Sequence, residues 1–284
     1  MNWMKHLPIY FLISAMVVIP GTYSLIRYGL KSSIEFTGGS RLTLVTVKSS
    51  PEDVLQAFID YSPILENSEN NSLTIKSKEI SQENTQKIID GLKKENPDVK
   101  LSDFETIGPA LGQETIKKTG NALIVASVLL LLYISFAFKQ LKYGICAVLA
   151  MFHDSVVLLG SFSLLGHFRG VEVDLLFVTA VLTILSFSVH DTIVVYDRIR
   201  ELSHKNKNVD FVSLVNQAVT ETMTRSLNNS LTIIFMLLAL FLMGGETTKY
   251  FSLALLIGTV TGTYSSTFTA APLLVIWNKL SRRN

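Results

Sequence analysis

Residues 175–196 read LLFVTAVLTILSFSVHDTIVVY, an apolar run that contains one carboxylate near its end, Asp191. A helix needs roughly 20 residues to cross about 30 Å of hydrocarbon, so a run of this length predicts a transmembrane helix. A charged side chain inside lipid costs several kcal/mol unless it is paired or hydrated. Asp191 is therefore a candidate functional residue.

Five further runs have the same character. Of the 284 residues, 48% are hydrophobic and 17% are charged, which is unusual for a soluble domain. The predicted spans are Pro8 to Ile26, Asn121 to Phe138, Tyr143 to Leu165, Leu175 to Tyr196, Leu227 to Met243 and Phe251 to Ile276. The first run could instead be a signal peptide, but it has no A-x-A cleavage site, so we expect an uncleaved anchor. These runs predict an α-helical polytopic membrane protein with six transmembrane helices.

Charges between the spans predict the orientation. One set of short loops, with the termini, carries Lys5, Lys139, Lys142, Arg198, Arg200, Lys205, Lys207, Arg225, Lys279, Arg282 and Arg283, whereas the opposite short loops carry Arg169 and Lys249. By the positive-inside rule, both termini and the loop 197–226 are cytoplasmic. The predicted parts are residues 1–30 with the first helix, an extracytoplasmic domain at 31–118, and a five-helix bundle at 119–284.

The cytoplasmic loop has an amphipathic pattern of its own. Its apolar residues recur at helical spacing, namely Phe211, Leu214, Val215, Ala218, Val219 and Met223. This spacing predicts a helix that runs into the fifth span. It lies either at the membrane interface or against the bundle.

The extracytoplasmic segment is predicted to be a small α+β domain. Strand character is found at Arg41 to Val47, Leu73 to Lys78 and Asp98 to Glu105, and helical patterning at Pro51 to Asp60 and Gln82 to Lys94. Ser50 and Ser81 can cap the two helices. Together these elements predict a ferredoxin-like sheet. About ninety residues form one modest core but no deep catalytic pocket, so we expect a binding or mechanical module.

Several functional classes are disfavoured. The single cysteine, Cys146, allows no intramolecular disulfide, and a net charge of +2 with basic residues at loop positions does not indicate a nucleic-acid partner. The sequence has no HExxH motif, no set of cysteine ligands and no GxSxG-like elbow. We therefore expect no metal, no cofactor and no enzymatic activity.

Two similar polar clusters interrupt the third and fourth spans. They read Phe152-His153-Asp154-Ser155 and Val189-His190-Asp191-Thr192. Asp154 follows the cytoplasmic end of its predicted span by about eleven residues, or roughly 17 Å at the helical rise, which is near the midplane. Asp191 is predicted to lie closer to the cytoplasmic face.

The fifth span begins with polar residues on one helical face: Arg225, Asn228, Asn229 and Thr232. An arginine at this depth needs a carboxylate, and Asp191, flanked by Ser188 and Thr192, is the predicted counter-ion. A pair that breaks when Asp191 binds a proton would form a proton relay. A static ion pair, or an Arg225 that extends to the headgroups, would account for the same residues.

Small residues recur every four positions along the sixth span: Ala254, Gly258, Gly262, Ser266 and Ala270. Such a ladder predicts close approach of another helix. The helix could belong to the same bundle or to a second subunit.

Several motifs resemble those of the SecD/SecF family of the RND superfamily. Residues 33–40, SIEFTGGS, resemble GxDFTGG; residues 107–112, IGPALG, resemble VGPxxG; residues 152–154 match FHD; and residues 188–201, SVHDTIVVYDRIRE, resemble the SecF-type signature SINDTVVVFDRIRE. The TMTRS of 222–226 and the GTVTGT of 258–263 also fit. Glu35, His190 and Asn229 depart from the usual Asp, Asn and Thr.

The resemblance implies one half of an RND-type helix bundle, completed by SecD in a bacterial inner membrane. It implies that the proton motive force is used to complete preprotein export through SecYEG after the ATP-driven stage powered by SecA, with YajC and YidC as possible further partners. It also implies that Asp191 and Arg225 serve the proton path. The alternatives are half of an RND-type transporter of lipids or small molecules, and a passive membrane scaffold.

Overall fold

The computed structural model describes residues 2–45, 50–69, 71–206 and 208–281. The chain divides into two compact units, Met1–Lys31 with Ala122–Asn284 and Ser32–Asn121. The helices are α1 Leu7–Tyr28, α2 Ile34–Thr37, α3 Pro51–Ala57, α4 Gln82–Glu95, α5 Pro109–Phe138, α6 Leu141–Arg169, α7 Leu175–Lys205, α8 Phe211–Met243, α9 Glu246–Ser265 and α10 Ala271–Ser281. The strands are β1 Gly39–Val45, β2 Ile64–Glu69, β3 Ser72–Ser77 and β4 Lys100–Ile107.

Among the described residues, five helical segments are long and apolar enough to cross a membrane: Trp3–Tyr28, Pro109–Phe138, Leu141–Arg169, Leu175–Lys205 and Phe211–Met243. The sixth predicted span, Phe251 to Ile276, is divided among α9, a π-helical turn at Ser266–Ala270, and α10. A π-turn widens the helix by one residue and is commonly found at functional sites. The uniform ladder of small residues along the predicted span did not indicate this break.

The predicted loop 197–226 is largely helical, because α7 continues to Lys205 and α8 begins at Phe211. The apolar residues of the amphipathic pattern are buried along the first turns of α8, namely Phe211, Leu214, Val215, Ala218 and Val219. Burial of this face favours the alternative in which the helix packs on the bundle. Of the basic residues used for orientation, Lys207, Arg282 and Arg283 lie outside the described residues.

Helices α1 and α6 come into close contact through glycine. A Cβ atom built on Gly160 would lie 2.5 Å from the Cα of Gly21, and one built on Gly21 would lie 3.1 Å from the Cα of Gly160. Three residues further along both helices, the hydroxyls of Ser24 and Ser163 are 2.7 Å apart. Only residues without a side chain permit this approach, which is the small-residue packing common in membranes.

The unit 32–121 contains a four-stranded antiparallel sheet in the order β2-β3-β1-β4. Its core consists of Leu42, Leu44, Val54, Phe58, Leu73, Ile75, Ile80, Ile89 and Val99. In β1 and β3, the buried residues alternate with more exposed ones, as expected for a sheet with one face covered by helices.

The sheet differs from the sequence prediction in one element. Strand β2 was not predicted, because ILENSE has weak alternation and few β-branched residues. The last strand begins at Lys100 rather than Asp98, and the predicted end of the first strand, Val47, lies outside the described residues. Ser50 and Ser81 cap α3 and α4 by accepting hydrogen bonds from the backbone amides of Asp53 and Asn84.

Candidate functional site: two buried carboxylates

Asp154 lies inside the helix bundle with 1% of its surface exposed. Its Oδ2 atom accepts a hydrogen bond from Ser188 of α7 at 2.5 Å and another from Ser265 of α9 at 2.6 Å. On the other side, Oδ1 is 2.9 Å from Nδ1 of His153. Three helices therefore meet at this carboxylate.

Asp191 is buried in a second position, with 4% of its surface exposed. Its Oδ2 atom accepts hydrogen bonds from Ser226 of α8, at 2.5 Å, and from Ser266 of the π-turn, at 2.8 Å. The carboxylate thus joins α7 to α8 and to the turn that interrupts the last predicted span.

Both carboxylates are held by neutral hydroxyl groups. Among the described residues, neither Asp154 nor Asp191 forms an ion pair with a lysine or an arginine. Each carboxylate instead accepts hydrogen bonds from two serine hydroxyls inside an apolar bundle.

The structure does not pair Arg225 with Asp191. Arg225 is exposed on the surface of this chain, and its neighbour Ser226 faces the carboxylate instead. Successive helical residues point about 100° apart, so only one of the two can face α7. The predicted ion pair within the chain is therefore absent from the described contacts.

The other polar residues at the start of the predicted fifth span, in the middle of α8, share the exposure of Arg225. They are Asn228, Asn229 and Thr232, and His190 of α7 is exposed as well. The hydroxyl of Thr232 donates to the backbone oxygen of Asn228. We call Arg225, Asn228, Asn229 and Thr232 the polar row. Such a row is costly where a surface meets lipid.

Two predicted neighbours of Asp191 have other positions. Ser188 donates to Asp154 rather than lying beside Asp191. Thr192 is 1% exposed, and its hydroxyl has no hydrogen-bond partner among the described residues. Ser188 lies one helical turn from Asp191 on the same side of α7, and at its level the helix meets Asp154 of α6 rather than α8.

The small-residue ladder packs within the chain. Ala254, Gly258, Gly262, Ser266 and Ala270 are all buried. A Cβ atom on Gly258 would lie 2.2 Å from Ile184 of α7, and one on Gly262 would lie 3.4 Å from the Cα of Ser188. The ladder therefore brings α9 against α7 and places Ser265 and Ser266 beside the two carboxylates. Of the two alternatives, this favours packing within the bundle over a subunit interface.

Comparison with known proteins identifies the family. The family described as "Protein export membrane protein SecD/SecF, C-terminal" matches residues 87–280. A "Protein translocase subunit SecF" of Thermobaculum terrenum is 40% identical over 94% of this chain and 91% of its own length. The chain belongs to the SecD/SecF family. A second SecF subunit, of a Synechocystis species, is 35% identical over 88% of this chain and 83% of its own length.

Among solved structures, the SecD/SecF-family chain resembles SecDF of Thermus thermophilus, described as a translocon-associated membrane protein. The TM-score is 0.85 at 28% identity. The match covers 98% of this chain and 39% of the SecDF chain. The whole of this chain therefore corresponds to less than half of the longer protein.

Sequence reasoning missed the serines that hold the carboxylates of this SecD/SecF-family protein. Ser226 and Ser265 were not singled out, and Ser266 was considered only as a small residue of the ladder. Hydroxyl residues are common in transmembrane helices, so type alone is a weak signal. Ser226 could have been found only from the orientation of the residue that follows Arg225. Ser265 and Ser266 could have been found only from the break in helical geometry at the π-turn.

Proposed function

We propose that this chain is the SecF-type subunit of a Sec translocase, and that it couples proton movement to a late stage of preprotein export. The observation that carries the proposal is the burial of Asp191 among serine hydroxyls in an apolar bundle. The names of the relatives, translocase subunits and a translocon-associated protein, support the same role. The activity is mechanical rather than enzymatic.

In the proposed arrangement the chain spans a bacterial inner membrane six times, with both termini in the cytoplasm. Residues 246–281 form the sixth crossing. Helix α9, the π-turn and α10 follow one another in the sequence without an intervening loop. The 31–118 segment lies outside the cytoplasm. Its element order, β1-α3-β2-β3-α4-β4, and its sheet order support a ferredoxin-like domain.

The polar row and His190 support a partner within the membrane. Polar and charged side chains in spans generally face a bundle interior or a hydrated cavity. In this chain they face outward, so a second set of helices is needed to cover them. We infer that SecD supplies these helices and that Arg225 meets a carboxylate of that subunit. The proposed wider assembly contains the SecYEG channel with SecA, and YajC and YidC are candidates for further members.

Protonation of Asp191 is the proposed coupling event. One elementary charge that crosses 100 mV releases about 2.3 kcal/mol, so a few protons can drive one step of peptide movement. When Asp191 is ionised, it accepts hydrogen bonds from Ser226 and Ser266. When it is protonated it carries a hydrogen of its own, and these contacts must rearrange.

The direct test is Asp191→Asn, which preserves shape and hydrogen bonding but cannot titrate. In inner-membrane vesicles, we expect the variant to lose the preprotein release that depends on the proton motive force. The variant chain should still insert into the membrane, and SecD should still be recovered with it. Asp197→Asn is the matched control, because Asp197 lies on the same helix but is exposed and bound to Arg200. Normal release by a correctly assembled Asp191→Asn complex would reject the coupling role.

The partner surface is tested separately. Asn229→Leu in the polar row should reduce the recovery of SecD with the tagged chain, because it removes hydrogen-bonding groups from the proposed interface. Phe235→Leu, an exposed apolar position on the same helix, should leave recovery unchanged. Equal recovery with both variants would mean that the polar row does not meet SecD.

A further inference from the structure

Asp154 has no role in the proton path proposed above. It is nevertheless more deeply buried than Asp191, and it accepts hydrogen bonds from two serine hydroxyls on two different helices. A carboxylate kept only for packing is expensive in an apolar bundle, because its charged form loses hydration. The second carboxylate therefore requires a functional explanation.

The two carboxylates are connected through adjacent residues. Ser265, the last residue of α9, donates to Asp154, and Ser266, the first residue of the π-turn, donates to Asp191. Adjacent helical residues point about 100° apart, so a single step of backbone reaches both α6 and α7. A movement of the backbone at Ser265 and Ser266 therefore changes the hydrogen bonds of both carboxylates.

Each serine has a second acceptor within its own helix. The Ser265 hydroxyl oxygen is 3.3 Å from the backbone oxygen of Gly262, and that of Ser266 is 3.1 Å from the backbone oxygen of Thr263. A hydroxyl has a single hydrogen to donate. It is donated to the carboxylate while the carboxylate is ionised. Once Oδ2 has gained a proton, the acid has one hydrogen and donates it to one of its two serines. When that serine is Ser265 or Ser266, its own hydrogen turns to the backbone oxygen.

We propose that Asp154, together with His153, is a second proton-binding centre, and that Ser265 and Ser266 report the protonation of both carboxylates to the π-turn. The coupling part of this inference rests on the function proposed for Asp191. Nδ1 of His153 lies at hydrogen-bond distance from Asp154, and its Nε2 is buried without a partner among the described residues. A neutral imidazole that donates from Nδ1 leaves Nε2 as an acceptor, so the pair has two atoms that can hold an incoming proton.

Other titratable groups of the surrounding helices either have separate partners or lie at other levels of the bundle. In α7, Asp191 is held by serines and the Tyr196 hydroxyl donates to the backbone oxygen of Ala270. In α9, the Tyr264 hydroxyl donates to the backbone oxygen of Tyr10 in α1. Cys146 of α6 lies two turns from Asp154, and Lys279 of α10 is in that helix's last turn. Within the described residues, His153 is the titratable group in contact with the Asp154 carboxylate.

The π-turn can transmit the change because it is attached at both sides. Tyr196 holds it to α7 through Ala270, at 2.9 Å. The ring of Phe268 packs on Tyr10 of α1 and on Trp3 at the N-terminus, with centroid separations of 4.6 and 5.9 Å. A rearrangement at Ser265 and Ser266 therefore reaches the first helix as well as the two carboxylates.

The proton-binding step is tested by infrared titration of the full chain in lipid nanodiscs, between about pH 5 and 9. We expect a protonated-carboxyl signal that Asp154→Asn removes and that Asp191→Asn leaves in place. Ser265→Ala should move this signal in frequency, because it removes a hydrogen bond to the group. Ser252→Ala is the control, because this buried α9 serine bonds only to backbone oxygens of its own helix. Absence of any signal specific to Asp154 would overturn the inference.

The reporting step is tested by hydrogen exchange of a peptide that covers the π-turn, corrected for the intrinsic effect of pH. In the unmodified chain, the protection of this segment against exchange should change with pH. Asp154→Asn should reduce this change, and the double variant Asp154→Asn/Asp191→Asn should abolish it. If Asp191→Asn alone abolishes the change, Asp154 does not act on the π-turn. Neither measurement uses export, so failure of Asp191→Asn to block preprotein release would reject the proposed function without deciding this inference.

Discussion

The two His-Asp pairs of the bundle have similar sequences and different surroundings. In α6, the side chain of His153 is 13% exposed and contacts the adjacent Asp154. In α7, His190 is exposed while Asp191 is buried and held by serines of two other segments. Helix α6 is covered by α1, α7 and α9, whereas the outer side of α7 near His190 is left open. A dipeptide therefore has no fixed role, and the helices around it decide which of its side chains is inside.

The largest loss of stability is expected from a change that separates α9 from α7, because α9 and the π-turn hold both carboxylates. Gly258→Leu places a side chain where Ile184 already lies, at 2.2 Å from the first added atom, and should force α9 away from α7. Overpacking of this severity costs about 3 kcal/mol or more, seen as a lower midpoint of thermal unfolding in detergent. Gly120→Leu is the control, because nothing lies within 4 Å of its Cβ position. Equal midpoints would show that the ladder does not hold α9 in place.

An intermediate effect should distinguish the two histidines. His153→Phe keeps the ring but removes the contact with Oδ1 of Asp154, which should cost about 1–3 kcal/mol for a buried group left without its partner. His190→Phe, at an exposed position of this chain, should change the free energy of unfolding by less than about 0.5 kcal/mol. Both are measured on the isolated chain in detergent. A similar loss for the two variants would contradict the asymmetry of the pairs.

The smallest effect on export is expected for His190, one of the residues that depart from the family pattern. His190→Asn restores the usual side chain, and because His190 has no buried contact with Asp191, the two proteins should show superimposable pH profiles. The measurement is preprotein release in vesicles between about pH 5.5 and 8 at fixed membrane potential, the range in which histidine titrates. A profile that shifts or flattens would place His190 in the proton path.

The sequence was sufficient to predict five apolar helical segments, because their length and hydropathy are properties of single segments. It also identified Asp154 and Asp191 as unusual residues. It was not sufficient to predict their partners. Arg225 and Ser226 are adjacent in the chain, and which of them faces Asp191 depends on the rotation of α8 about its axis, which is set by packing. Strand β2 and the π-turn were missed for the related reason that tertiary contacts overrode a weak local pattern.

The contact between Gly21 and Gly160 has a consequence for biogenesis. Ser24 and Ser163 beside it are separated by 139 positions, and the whole 32–121 unit is made between them. At a synthesis rate of about 5–20 residues per second, α1 waits on the order of ten seconds in the membrane before α6 emerges. During this interval its narrow glycine and serine surface is open to lipid or to other proteins of the insertion apparatus. The first helix is thus exposed to incorrect pairing, and substitutions at Gly21 should lower the yield of assembled protein.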